Sequence, residues 1–139
     1  METFSGGTVS FNGTWISPCR ASTDNDIETL VVNDEAATDT DVTYTGANCT
    51  GSSSTTSGND TLATEGTISG IAWTGTPPAD SPASLTVTKL QFMSGGQTAF
   101  NIVVVDTPSS PFKAYSGFGG ALTGSYPTSL DATTEVVQQ

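Results

Sequence analysis

The chain contains no histidine. That removes the Ser-His-Asp and Cys-His nucleophile systems and leaves no imidazole for an ordinary zinc site. Basic residues are almost as scarce: Arg20, Lys89 and Lys113 stand against 14 acidic residues, for a net charge of −11. A nucleic-acid backbone is bound by displacing its counterions with Lys and Arg, so nucleic-acid binding is excluded as a working reading. The same acidity disfavours adhesion to anionic lipid, and its plainest use is solubility. No apolar run approaches the roughly 18 residues needed to cross a bilayer. Nor does any long segment keep apolar residues at helical i, i+3, i+4 spacing.

What is present favours β structure. Ser and Thr make up about 30% of the 139 residues, and the 15 glycines and seven prolines fall mostly between short apolar runs. Thr is β-branched and suits the solvated face of a strand, whereas Gly and Pro mark turns. Strands are expected over 8–16, 27–32, 41–45, 61–73, 84–92, 98–105, 112–115, 121–123 and 130–137. In 84–92 the apolar face changes phase between Val87 and Leu90, which suggests a bulge near Thr88-Lys89. Ser94-Gly95-Gly96 marks a hairpin turn. The Ser, Thr, Gly and Asn run 50–60 reads as an exposed loop or a very polar edge hairpin. Eight or nine short strands at near-regular spacing, with no linker or repeat, predict a single all-β domain over residues 1–139.

The two cysteines, Cys19 and Cys49, enclose about 31 residues. Without histidine they cannot complete a zinc site, and they form no Cys-x-x-Cys redox pair. A disulfide is the remaining reading, and it places the chain in an oxidising compartment. Met1-Glu2 is expected to stand where an export signal has been removed.

The opening Asn12-Gly13-Thr14-Trp15-Ile16-Ser17-Pro18-Cys19 carries a Gly-x-Trp with the Trp four residues before the first cysteine. A strand follows, then Tyr44 and Asn48-Cys49-Thr50. Near the end stands Tyr126-Pro127-Thr128-Ser129-Leu130-Asp131. These segments resemble the opening and closing segments of small bacterial lipocalin-like (calycin-type) secreted proteins and lipoproteins, although Tyr126 replaces the usual Arg before the Pro. The resemblance covers roughly residues 11–50 and 112–137. It implies an antiparallel up-and-down barrel of about eight strands, with Trp15 plugging the closed end and room for one small apolar ligand. It also implies a secreted, periplasmic or lipid-anchored cell-surface location. A β-sandwich is the alternative architecture.

Tyr44, Trp73, Phe100 and Tyr115 are the candidate ligand-binding aromatics, with Phe118 and Tyr126 as further aromatics able to line a cavity. Asp24, Asp26 and Glu28, spaced two apart, form a weak candidate cation site to which Asp39 and Asp41 could add donors. The 12-residue EF-hand loop is absent, and a solvated acidic loop is the better account. No carboxylate pair is identifiable on a cleft, and no cofactor motif is present. The expected function is therefore non-catalytic: a barrel holding a small hydrophobic ligand or serving the cell envelope. The alternative is a carbohydrate-binding or adhesive sandwich module.

Overall fold

The computed structural model describes residues 4–5, 11–20, 25–106, 111–117 and 124–139. Every regular element among them is a strand: β1 (Phe4–Ser5), β2 (Gly13–Ile16), β3 (Asp26–Asn33), β4 (Ala36–Gly46), β5 (Thr50–Thr74), β6 (Leu85–Ser94), β7 (Gln97–Asp106), β8 (Lys113–Gly117) and β9 (Ser129–Gln138). Strands β2 to β9 pair antiparallel in chain order, and β9 pairs back onto β2 through Trp15↔Gln138 and Ile16↔Val137. The result is a closed eight-strand up-and-down barrel rather than the two facing sheets of a sandwich. Strand β1 adds a short edge to the end of β7. The expected strand at 121–123 lies outside the described residues.

The polar run 50–60 forms no separate loop. It is the first part of β5, a strand of 25 residues, paired with β4 from Gly46↔Thr50 to Ala36↔Thr61. Its Ser and Thr side chains are exposed, and the pairs Thr38–Asn59 and Thr40–Ser57 are joined by side-chain hydrogen bonds of 3.0 and 3.1 Å. A strand of this length must bend to stay on a barrel. Register shifts occur between Thr64 and Thr67 and between Ile68 and Ile71. Gly66 (φ +88°) and Gly70 (φ +77°) supply the left-handed backbone that such bulges need.

Beyond the second shift β5 leaves its course, and Ala72–Thr74 pair parallel with Ser129–Asp131 of β9. This pairing closes a second, smaller circuit through β5, β6, β7, β8 and β9. Strands β6, β7 and β8 are shared by both circuits and are therefore covered on both faces. Val103, Val105, Leu90 and Ala114 face the main barrel, with Trp15, Val32 and Leu62. Ile102, Val104, Val87, Leu85 and Tyr115 face the second circuit, with Ile71 and Leu130. Each fully buried aliphatic side chain contributes roughly 1.5–3 kcal/mol.

This double coverage corrects the expected bulge at Thr88-Lys89. Strand β6 pairs with β7 in unbroken register from Thr88↔Val103 to Ser94↔Gln97, and the irregularity opposite it belongs to β5. The apolar phase changes along β6 because Val87 points into one core and Leu90 into the other.

The expected disulfide is formed, joining Cys19 to Cys49 with their Cα atoms 5.9 Å apart. It ties the segment after β2 to the tip of the β4–β5 hairpin, and Cys49 Sγ lies 3.6 Å from the carbonyl oxygen of Asp26, the first residue of β3. The bridge thus spans the start of β3 at one end of the barrel. Such a bridge fits an oxidising compartment. Among the described residues no helix is long and apolar enough to cross a membrane.

Candidate functional site: the barrel cavity

The main barrel is not filled. Its interior holds a cavity of about 770 Å³ that is open to solvent on one side. That volume lies within the roughly 300–1,000 Å³ typical of small-molecule sites. Eight strands give an interior that side chains can just fill, so small inward residues leave space. Ala99 and Ala114 line it. Gly58, opposite Asp39 in the register, has open space where a Cβ would stand.

The lining has two chemistries. The floor is the apolar cluster of Trp15, Val32, Leu62, Leu90, Val103 and Ala114. Trp15 is only 2% exposed, and its Nε1 donates to the carbonyl oxygen of Phe11 at 2.8 Å. Its polar handle is thereby satisfied, and the ring serves as a wall, in keeping with a plugging role.

The other chemistry is carboxylate. Cross-strand neighbours point to the same face of a sheet, and the register sets Glu28 opposite Asp41, Leu30 opposite Asp39 and Ala37 opposite Asp60. The face of β3 and β4 that carries Leu30 and Val32 inward carries these acids inward too. Glu28, Asp39 and Asp60 line the cavity. Glu28, Asp39 and Asp41 each place one carboxylate oxygen within 4.8 Å of the others. Arg20 stands beside them. Its Nη2 donates to Glu28 Oε1 at 3.3 Å, and its Nη1 is 3.7 Å from Asp26 Oδ2. Among the described residues no salt bridge reaches Asp39, Asp41 or Asp60. The Oδ1 atoms of Asp39 and Asp41 are shielded from water and accept no hydrogen bond.

These surroundings raise the Asp39 carboxyl from its ordinary 3.8 to about 7, first through burial and then through the like charges of Glu28, Asp41 and Asp60, while Arg20 pulls the other way. Asp41 is raised as well, by burial and then by Asp26. Between pH 3.8 and about 7 the folded state holds a proton on Asp39 that the unfolded chain has released. Stability therefore falls as pH rises through this window. Asp39→Asn is expected to exceed the wild type at pH 8 by on the order of 1 kcal/mol, because the half-buried carboxyl is partly screened by water. The two should converge near pH 4. Thermal midpoints measured from pH 4 to 8 check this, and parallel profiles for the two proteins would refute it.

Of the aromatic candidates among the described residues, only Tyr115 borders the cavity, and its ring packs into the second core against Trp73 and Phe4. It is buried, and its hydroxyl donates to Glu135 Oε2 at 3.2 Å. Trp73 packs edge-on against Tyr115 and Phe4 in the second circuit, with centroids 5.3 and 5.9 Å apart. Phe100 packs edge-on against Tyr126 at 5.1 Å, beside Lys89. Tyr44, half-buried, pairs with Ser53 and is not part of the lining. Phe118 and the acidic candidate Asp24 lie outside the described residues. Asp26 is held by Arg20 rather than joining the three-carboxylate group, which instead combines Glu28 with Asp39 and Asp41.

Sequence reasoning did not single out Leu30, Leu62, Leu90 or Asp60 as cavity residues. The period-2 pattern puts Leu30 on the same face as Glu28, but not on the inside, because Ile27 and Val31 make the opposite face equally apolar. No protein-family model, curated protein or solved structure matches the chain.

Proposed function

We propose that this barrel is a non-catalytic, lipocalin-like binding protein of the bacterial cell envelope or exterior, holding one small hydrophobic ligand in its interior. The observation that carries this reading is the cavity of about 770 Å³ over an apolar floor. A floor formed by Trp15, Val32, Leu62, Leu90 and Val103 removes an aliphatic chain from water at roughly 25 cal/mol per Å² buried. A structural barrel with no ligand would gain by filling that space with side chains, since interiors are normally close-packed. The disulfide supports an oxidising location and fixes the hairpin tip beside the acidic end of the cavity.

A neutral fluorescent probe, N-phenyl-1-naphthylamine, tests the proposal. Binding should be saturable with one site per chain. Ala99 lines the cavity opposite Phe92 and is only half-buried, so Ala99→Trp adds bulk without disturbing the floor. That variant is expected to weaken probe binding about tenfold or more, worth 1.4 kcal/mol per tenfold. Equal binding by a folded Ala99→Trp, or no saturable binding by the wild type, would count against the cavity as a ligand site.

A further inference from the structure

The two chemistries of the lining narrow the class of ligand. An aliphatic chain alone would satisfy Leu62, Leu90 and Val103 but would leave the Oδ1 atoms of Asp39 and Asp41 shielded and without donors. Orphaned acceptors of this kind are costly, and more so when charged. Arg20, the cation beside these carboxylates, does not resolve the imbalance. Arg20 is engaged with Asp26 and Glu28, while Asp39, Asp41 and Asp60 keep no salt bridge among the described residues.

We propose that the cavity takes a long-chain primary amine, its alkyl tail on Trp15, Leu62, Leu90 and Val103 and its ammonium group among Glu28, Asp39 and Asp41. The proposal rests on the reading of the barrel as an apolar-ligand binder and specifies that ligand's head group. An alkylammonium carries three N–H donors and no acceptor. Three tetrahedrally disposed N–H···O bonds of about 2.8 Å place their acceptor oxygens about 4.6 Å apart. The three carboxylate oxygens here lie within 4.8 Å of one another.

A bare divalent ion is matched less well. Ca²⁺ seeks roughly six to eight oxygens, and Mg²⁺ a near-ideal octahedron. Beyond Glu28 and Asp39 the lining adds one carboxylate, Asp60, and otherwise offers apolar Leu62, Leu90 and Phe92 with neutral Gln97 and Asn101. A cation that brings its own apolar body uses both parts of the lining. The open space at Gly58, opposite Asp39, leaves room beside that carboxylate. Binding would also take a proton from Asp39. The charged groups bearing on that carboxyl are Glu28 of β3, Asp41 of β4, Asp60 of β5 and Arg20 before β3, and together they leave it partly protonated at neutral pH.

Titration calorimetry of the intact, oxidised protein with dodecylamine, dodecanol and dodecanoate separates the terms, at pH 7 and physiological salt and below each compound's micellar concentration. The tail is constant, and only the head group changes. Dodecylamine should bind at least about tenfold more tightly than dodecanol, with dodecanoate weakest. Repeating the amine titration in buffers of different ionisation enthalpy should reveal proton release. Asp39→Asn should narrow the amine-to-alcohol ratio to within about twofold, as should Asp41→Asn, each with its fold verified by circular dichroism.

Equal affinity for amine and alcohol would overturn the inference while leaving the apolar-ligand reading intact. So would an amine preference that persists in both variants, because the overall negative charge would then be its source. Displacement of the amine by stoichiometric Ca²⁺ would reassign the carboxylates to a metal. Failure of all three dodecyl compounds to bind would remove the apolar-ligand reading itself.

Discussion

Replacing Cys19 and Cys49 together by alanine is expected to lower the stability of the folded chain by about 3–4 kcal/mol, from the closure entropy of a loop of roughly 31 residues. For a domain of this length that is a fall of on the order of 10 °C in thermal midpoint. The loss should also reach the ligand site. Cys19 immediately precedes Arg20, which pairs with Asp26 and Glu28 at the acidic end of the cavity, and Cys49 sits at the tip of the hairpin whose strands carry Asp39, Asp41 and Asp60. Amine binding should therefore weaken in the double variant even at temperatures where the barrel remains folded. Urea unfolding, with intact mass before and after alkylation, is the measurement. Two thiols that alkylate without reductant, or an unchanged midpoint, would refute the structural role of the bridge.

Truncation of Trp15 should be equally damaging, and informative about what the ring does. Trp15→Ala is expected to cost about 3–5 kcal/mol, the usual range for a large buried aromatic. The side chain is 2% exposed and packs with Val32, Leu62, Leu90 and Val103. Trp15→Phe keeps most of the apolar volume and loses the bond from Nε1 to Phe11, so it should cost only about 1–2 kcal/mol. If the ring is a wall of the cavity, stability should track its volume, and probe affinity in the folded Phe variant should change little. A Phe variant that is fully stable but no longer binds the probe would instead make the indole a ligand contact. Circular dichroism in urea and probe titration on the same samples distinguish these outcomes.

The burden of the acidic wall also has a physical meaning. Asp39 and Asp41 reduce stability above neutral pH, and nothing in the packing requires them, since Asn would occupy the same volume. Natural proteins retain locally unfavourable groups of this kind most often where a site uses them. The expected gain in stability of Asp39→Asn, set against its expected loss of amine selectivity, would be a direct instance of stability exchanged for binding.

Much of the architecture was legible in the residues. Period-2 patterning in 98–105, the Gly-Gly turn before it and the Thr-rich faces dictate antiparallel strands, because β-branched residues and turn glycines have few other stable arrangements. Cys19 and Cys49, with no histidine beside them, leave a disulfide as their use. A buried, structural Trp15 was expected from the family resemblance, and the ring is buried with its N–H satisfied. The aromatic candidates were less readable. Trp73 and Phe100 alternate with polar residues as cavity residues would, yet both lie on surfaces covered by the second circuit or by Tyr126.

By itself, then, the sequence determined the class, the existence of most strands and the covalent clamp, all of which follow from local periodicity and elementary side-chain chemistry. Only the tertiary structure decided which face of each strand looks inward. Alternation divides β3 into Ile27-Thr29-Val31 and Glu28-Leu30-Val32 without ranking the two, because each set is about equally apolar. The choice was made when β9 closed onto β2 and β5 crossed to β9, which covered both faces of β7 and turned Glu28, Asp39 and Asp60 into the cavity. Barrel closure joins residues more than a hundred positions apart, and no local pattern encodes it.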